Sequence, residues 1–215
     1  MHTRVLRLVL SGLMGALLVV SKQAMSGLPN IEPVTLLIIL FALELPRETL
    51  GAITVFLVLQ GVLYGFGLWW AMYLYVWYLL AFLARLLRRM DHALGWAVFS
   101  GLYGLCFGGL CAAVYLVAKT PAFALSWWLS GLSYDAMHGV GNFALMLLLY
   151  RPLRTALRTA KNRSMDEKRR AAQRVRHVFF VILRSFPAAR AECRADRPAP
   201  ETRAGSRTKG KRWKA

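Results

Sequence analysis

The sequence predicts an all-α membrane protein with six transmembrane helices, both termini cytoplasmic, and a basic, largely disordered C-terminal tail. Three observations carry that prediction. First, the chain is 57% hydrophobic yet formally +18, a pairing that seldom belongs to one soluble domain. The conflict disappears when the sequence is divided near Tyr150. Residues 1–150 hold 8 Lys/Arg against 5 Asp/Glu, whereas residues 151–215 hold 20 against 5. Second, the first part contains six apolar segments separated by polar or glycine-rich turns. Third, the charges alternate between successive connections. Arg4 and Arg7, then Arg47, then Arg85, Arg88 and Arg89, then the tail mark one side, and the intervening connections offer only Lys22, nothing and Lys119. Cationic segments stay cytoplasmic, which places both termini inside.

Residues 5–20 form the first expected span. A signal peptide shares the basic start and apolar run, but no A-x-A site follows, so the segment reads as a retained helix. Ser11-x-x-x-Gly15 and Gly12-x-x-x-Ala16 put small residues one turn apart, where another helix approaches closely, within this chain or from a partner. A polar loop with Gln23, Asn30 and Glu32 leads to residues 34–45, short for a span at about 1.5 Å per residue. The third span is expected over 50–64, with Gln60 its strongly polar interior residue. Tyr64-Gly-Phe-Gly-Leu-Trp-Trp70 is a glycine-loosened aromatic turn without the spacing of a nucleotide-binding fingerprint. The fourth span, 71–87, carries Tyr73, Tyr75, Trp77 and Tyr78, which suit an interfacial belt or a stacking wall for a flat ligand. The fifth, 93–118, has Gly104, Gly108 and Ala112 on one face, suited to close packing against the sixth.

The sixth span, 123–150, holds the polar constellation. Asp135, His138 and Asn142 fall at i, i+3 and i+7 on one helical face, where each must meet a partner, water or a ligand. Two readings stay open: a hydrogen-bond network that pins this helix against the fourth and fifth, or contact with a ligand or transport pathway. Together with Trp69, Trp70 and Trp128 near the outer face, they suggest an outward-opening pocket with aromatic walls and a polar floor.

Catalysis finds little support. His138 is the one histidine within a span, no H-E-x-x-H is present, and neither Ser133 nor Cys106 sits in a nucleophile motif. No catalytic residue, metal ligand or cofactor is expected. Cys106, Cys111 and Cys193 form no CxxC pair. In the tail, 151–163 is expected to continue the sixth helix, 168–183 to form an interfacial helix, and the chain beyond Pro187 to be disordered. Membrane lipid is the expected partner of these charges. Nucleic acid is not, because no recognition module is present.

Over residues 5–158 the ordered set of features resembles the substrate-binding S components of energy-coupling-factor (ECF) vitamin transporters. The features are the small-xxx-small first helix, Leu28-Pro-Asn-Ile-Glu32, the aromatic turn at 64–70, and Gly131-Leu-Ser-Tyr-Asp-Ala-Met-His-Gly-Val-Gly-Asn142 with Arg151-Pro-Leu. The resemblance implies a substrate-binding domain over 1–158 and a cytoplasmic tail over 159–215 that lies outside the family pattern. It implies a chain that is not an ATPase but captures a vitamin-like molecule at the outer face of the plasma membrane. Such a chain associates with a transmembrane coupling protein and two ATPase subunits, and topples in the membrane to deliver its load. Gly12 and Ala16 would meet the coupling protein, the first loop would be the lid, and helices four to six would line the pocket. Asn30, Glu32, Trp69, Trp70, Tyr73, Trp77, Trp128, Asp135, His138 and Asn142 are the candidate substrate-binding residues. The absence of GxxxxGK[ST] agrees independently with borrowed ATP hydrolysis. The alternative is a stand-alone ion-coupled transporter or channel that uses Asp135.

Overall fold

The computed structural model describes residues 2–28 and 31–185. The described residues contain helices and no strand: α1 (His2–Ala24), α2 (Val34–Glu44), α3 (Thr49–Tyr64), α4 (Leu68–Leu86), α5 (Ala93–Leu105), α6 (Phe107–Ala118), α7 (Pro121–Ser130) and α8 (Leu132–Ser185). The chain divides into two compact units, Met1–Lys161 and Asn162–Ala215. Three helical stretches, Arg4–Ala24, Leu68–Leu86 and Ala93–Ala118, are long and apolar enough to cross a membrane. Large apolar side chains also cover the outside of the first unit. Leu8, Val62, Phe82, Val117, Val140 and Leu148 all lie mostly exposed, an arrangement suited to lipid and costly in water.

The short second helix is the centre of this bundle. Every residue from Val34 to Ala42 is buried, so α2 is wrapped by protein rather than lipid. Two polar clasps fix it beside α8. Near its start, Asn142 Nδ2 donates to Thr35 Oγ1 at 3.2 Å. At its end, Glu44 Oε1 accepts from Arg154 Nε and Arg158 Nε, both at 2.8 Å, and Lys161 Nζ donates to the Glu44 carbonyl at 2.7 Å. Arg154 also reaches Asp91 and the Tyr150 hydroxyl. Burial works against its charge, but the hydrogen bond to Glu44 and the neighbouring anionic groups outweigh that and hold the guanidinium above its ordinary pKa.

The remaining helices meet through small residues and tyrosine hydroxyls. On α1, a Cβ on Gly15 would fall 2.6 Å from Val55 Cβ, so that glycine lets α3 approach. Beside it, Ser11 Oγ donates to the Glu48 carbonyl. Tyr103 donates to the Val76 carbonyl at 2.6 Å and Tyr75 to that of Leu110, joining α4 to α5 and α6. The fifth expected span is continuous in direction but tightens at Cys106 between α5 and α6. Helix α7 begins where Thr120 Oγ1 accepts the Phe123 N–H and Pro121 occupies the first turn.

The sixth expected span is corrected. Residues 123–150 are two helices rather than one, separated at Gly131, whose N–H donates to Trp128 O at 2.9 Å. A three-residue hydrogen bond replaces the helical four-residue one at a Ser–Gly pair, both weak helix formers. Helix α8 then runs unbroken through Ser185, so the expected separate helix at 168–183 is its continuation. The predicted disorder beyond Pro187 lies outside the described residues, as does Asn30.

Candidate ligand-binding site

An aromatic cage forms where α4, α6 and α8 converge. Just before α6, Gly104 at the end of α5 lets that helix approach α8, because a Cβ there would stand 2.8 Å from the His138 carbonyl carbon and from Gly139 N. One turn on, a Cβ on Gly108 would fall on the Asp135 carboxylate. With α6 and α8 this close, the Phe107 ring lies 4.7 Å from the His138 ring and 5.4 Å from that of Trp77, centroid to centroid. Tyr73 meets Trp77 edge-on at 5.4 Å, and Phe56 closes the other side of Trp77 at 6.0 Å. Trp69 extends the cluster, edge-on to Tyr73 at 5.6 Å.

Two polar atoms inside this cage have no hydrogen-bond partner among the described residues: Trp77 Nε1 and His138 Nε2. Trp77 is fully buried and His138 is 3% exposed, so bulk water does not satisfy either one. The indole can only donate, and the imidazole nitrogen donates or accepts according to its tautomer. Buried polar groups are normally paired, so these two nitrogens, on rings that share Phe107 as a neighbour, set this cluster apart from the rest of the apolar core.

The cage connects to charge through Tyr73. Lys22 Nζ, at the end of α1, is hydrogen-bonded and ion-paired to Glu32 and lies 3.4 Å from the Tyr73 hydroxyl. Both charged side chains are largely buried, at 25% and 12% exposure. They also line a cavity of about 210 Å³ together with Gln23, Ser26, Leu28 and Tyr64. Tyr64 closes one side by donating its hydroxyl to Gln23 Oε1. The cavity is small and partly open, and its lining mixes an ion pair, an amide and apolar carbon.

The structure sorts the candidate residues into groups. Tyr73, Trp77 and His138 share the cage, Trp69 borders it, and Glu32 joins it through Lys22. Asp135 and Trp128 hold each other: Asp135 accepts from Trp128 Nε1 at 3.2 Å and from the Gly108 N–H at 2.9 Å. This carboxylate therefore ties α6, α7 and α8 together. Asn142 binds Thr35, and its own carbonyl accepts from Ser100 Oγ at 3.1 Å. Of the two spans expected to pin the stripe, the fifth does so through α5 and α6, whereas α2 and α7 take the place of the fourth: among the described residues none of these hydrogen bonds goes to α4. Trp70 turns away, donating to the Leu57 carbonyl on α3 at 2.9 Å.

The cavity lining includes Glu32 but not Trp69, Trp70, Trp128, Asp135, His138 or Asn142. Sequence reasoning missed Lys22 and Phe107 as site residues. Lys22 left a signal, a lone cation ending an apolar helix ten residues before a lone acid. Phe107 left none, being one of many aromatics in apolar helices. On α1, Gly12 has open space beside it, and Ala16 is half-buried. Among the described residues no group of three or more His, Cys, Asp or Glu is placed to hold a metal ion. No protein-family model, no curated protein and no solved structure matches this chain.

Proposed function

We propose that this chain is the substrate-capture subunit of an ATP-driven importer of the energy-coupling-factor type. In this reading six spans cross the plasma membrane with both termini cytoplasmic. A small planar vitamin-like molecule enters under the first loop and is held by the aromatic cage. A transmembrane coupling protein and two ATPase subunits then drive its delivery. The observation that carries the reading is the pair of buried, unpartnered nitrogens, Trp77 Nε1 and His138 Nε2, inside an aromatic cluster adjoining the Lys22–Glu32 cavity. Stacking and edge-on contacts suit a flat heterocycle, and two polar contacts orient its edge. The open side of Gly12 supports the docking half of the reading, since a partner helix has access there.

A stand-alone transporter coupled through Asp135 fits less well. Its carboxylate already accepts two hydrogen bonds from this chain, which is what a structural anchor does. The deciding experiment is native mass spectrometry on the protein purified in detergent without partners. A retained small molecule, absent from Trp77→Phe and His138→Leu variants, is the expected result. Uptake that proceeds in cells lacking the ATPase module would refute the importer reading and restore the coupled transporter.

A further inference from the structure

The second unit carries a basic helix with an apolar sector that the ligand site does not use; by register Lys168 falls within that sector and Asp166 among the arginines. Residues 162–185 contain seven Lys/Arg and two Asp/Glu. They lie within α8. With 3.6 residues per turn, Met165, Ala171, Ala172, Val175 and Val178 fall within about 140° of arc. On the same count Arg163, Arg169, Arg170, Arg174 and Arg176 share the opposite sector, about 160° wide. All ten side chains are exposed, with Val175 at 70% and Val178 at 56%. None of these five arginines forms an ion pair among the described residues.

We propose that residues 163–178 form a binding surface for anionic lipid headgroups, with Val175 and Val178 entering the interface while the arginines contact phosphate and carboxylate groups. Two properties of the helix favour lipid over a soluble polyanion. An arginine cluster alone would serve RNA equally well, but RNA leaves the exposed valine face in water. A negatively charged bilayer surface takes up both sectors at once, since basic side chains reach headgroups while apolar ones enter the acyl boundary. The same chain has helices suited to membrane crossing, so lipid belongs to the setting this segment is expected to meet. The inference does not depend on the ligand reading.

The test uses the full-length, ribonuclease-treated protein in nanodiscs of phosphatidylcholine, with and without phosphatidylserine. Trypsin cleavage after Arg169, Arg170, Arg174 and Arg176 is followed by mass spectrometry. Phosphatidylserine is expected to slow cleavage at these four sites about tenfold, and high salt should reverse the effect. In Val175→Asp/Val178→Asp the protection should largely vanish, because the apolar half of the contact is gone. Both positions are exposed and lie outside the first unit, so folding of the bundle is not at stake. Equal cleavage in the two lipid compositions would overturn the proposal. So would protection that survives the double aspartate variant, or protection that appears only on adding RNA.

Discussion

Asp135 and His138 lie one turn apart on the same buried face, yet replacing the first should destabilise the protein and replacing the second should leave its stability nearly unchanged. The Asp135 carboxylate accepts from the Gly108 N–H at 2.9 Å and from Trp128 Nε1 at 3.2 Å. In Asp135→Ala both donors stay in place with no acceptor. Each stranded donor costs about 1–3 kcal/mol, and relief from burying a carboxyl group offsets part of that. A net loss of about 2–4 kcal/mol follows. Asp135→Asn keeps an oxygen for one donor and should lose roughly half as much. His138 Nε2 has no partner among the described residues, so His138→Leu breaks no hydrogen bond at that atom and removes a buried polar group. Its lost contact with Phe107 works against this gain, leaving a change within about 1 kcal/mol of zero. Unfolding by denaturing detergent, followed by tryptophan fluorescence, measures the first quantity, and native mass spectrometry on the same samples measures ligand retention. Asp135→Ala should unfold early, while His138→Leu unfolds with the parent protein but retains no ligand. If His138→Leu is as unstable as Asp135→Ala, the imidazole holds the bundle together and the assignment of the cage is wrong.

Two further predictions concern the helix contacts. Gly15→Leu should disrupt the bundle, since its side chain would enter Val55 and the Ala52 carbonyl, whereas Gly12→Leu should leave stability and ligand binding unchanged but abolish co-purification with the coupling protein and ATPases. Equal stability loss in both variants would show that Gly12 packs internally. At the other end of α2, Arg154→Ala should cost about 3 kcal/mol because it leaves Glu44 buried and half-paired, and Arg158→Ala, whose side chain is 51% exposed, about 1 kcal/mol or less. Comparable losses in the same unfolding assay would refute the ranking by burial.

The glycine stripe of the fifth span shows what the sequence makes legible. Gly104 and Gly108 pointed to close packing against the sixth expected span, 123–150, and their Cβ positions do fall on His138, Gly139 and Asp135. Small residues in an apolar helix have few other uses, so the pattern names its own role. Trp70 and Trp77 show the opposite. They lie seven residues apart on one apolar helix, and sequence gave them the same weight, but Trp70 donates to a carbonyl on α3 while Trp77 is buried with its nitrogen unpaired. Glu44 looked like a turn residue and is the hub of the clasp between α2 and α8.

By itself the sequence determined the helical architecture, its apolar surface and the sharp change to a basic second unit. These depend on composition and local period, which each segment carries alone. Only the tertiary structure decided that α2 is enclosed, that the expected sixth span divides at Gly131, and that Lys22, Tyr73, Trp77, Phe107 and His138 adjoin one another. In a soluble helix the polar face tells which side is buried. Here the outward and inward faces are equally apolar, so periodicity cannot orient a helix. Which tryptophan reaches the cage is settled by contacts between residues far apart in the chain.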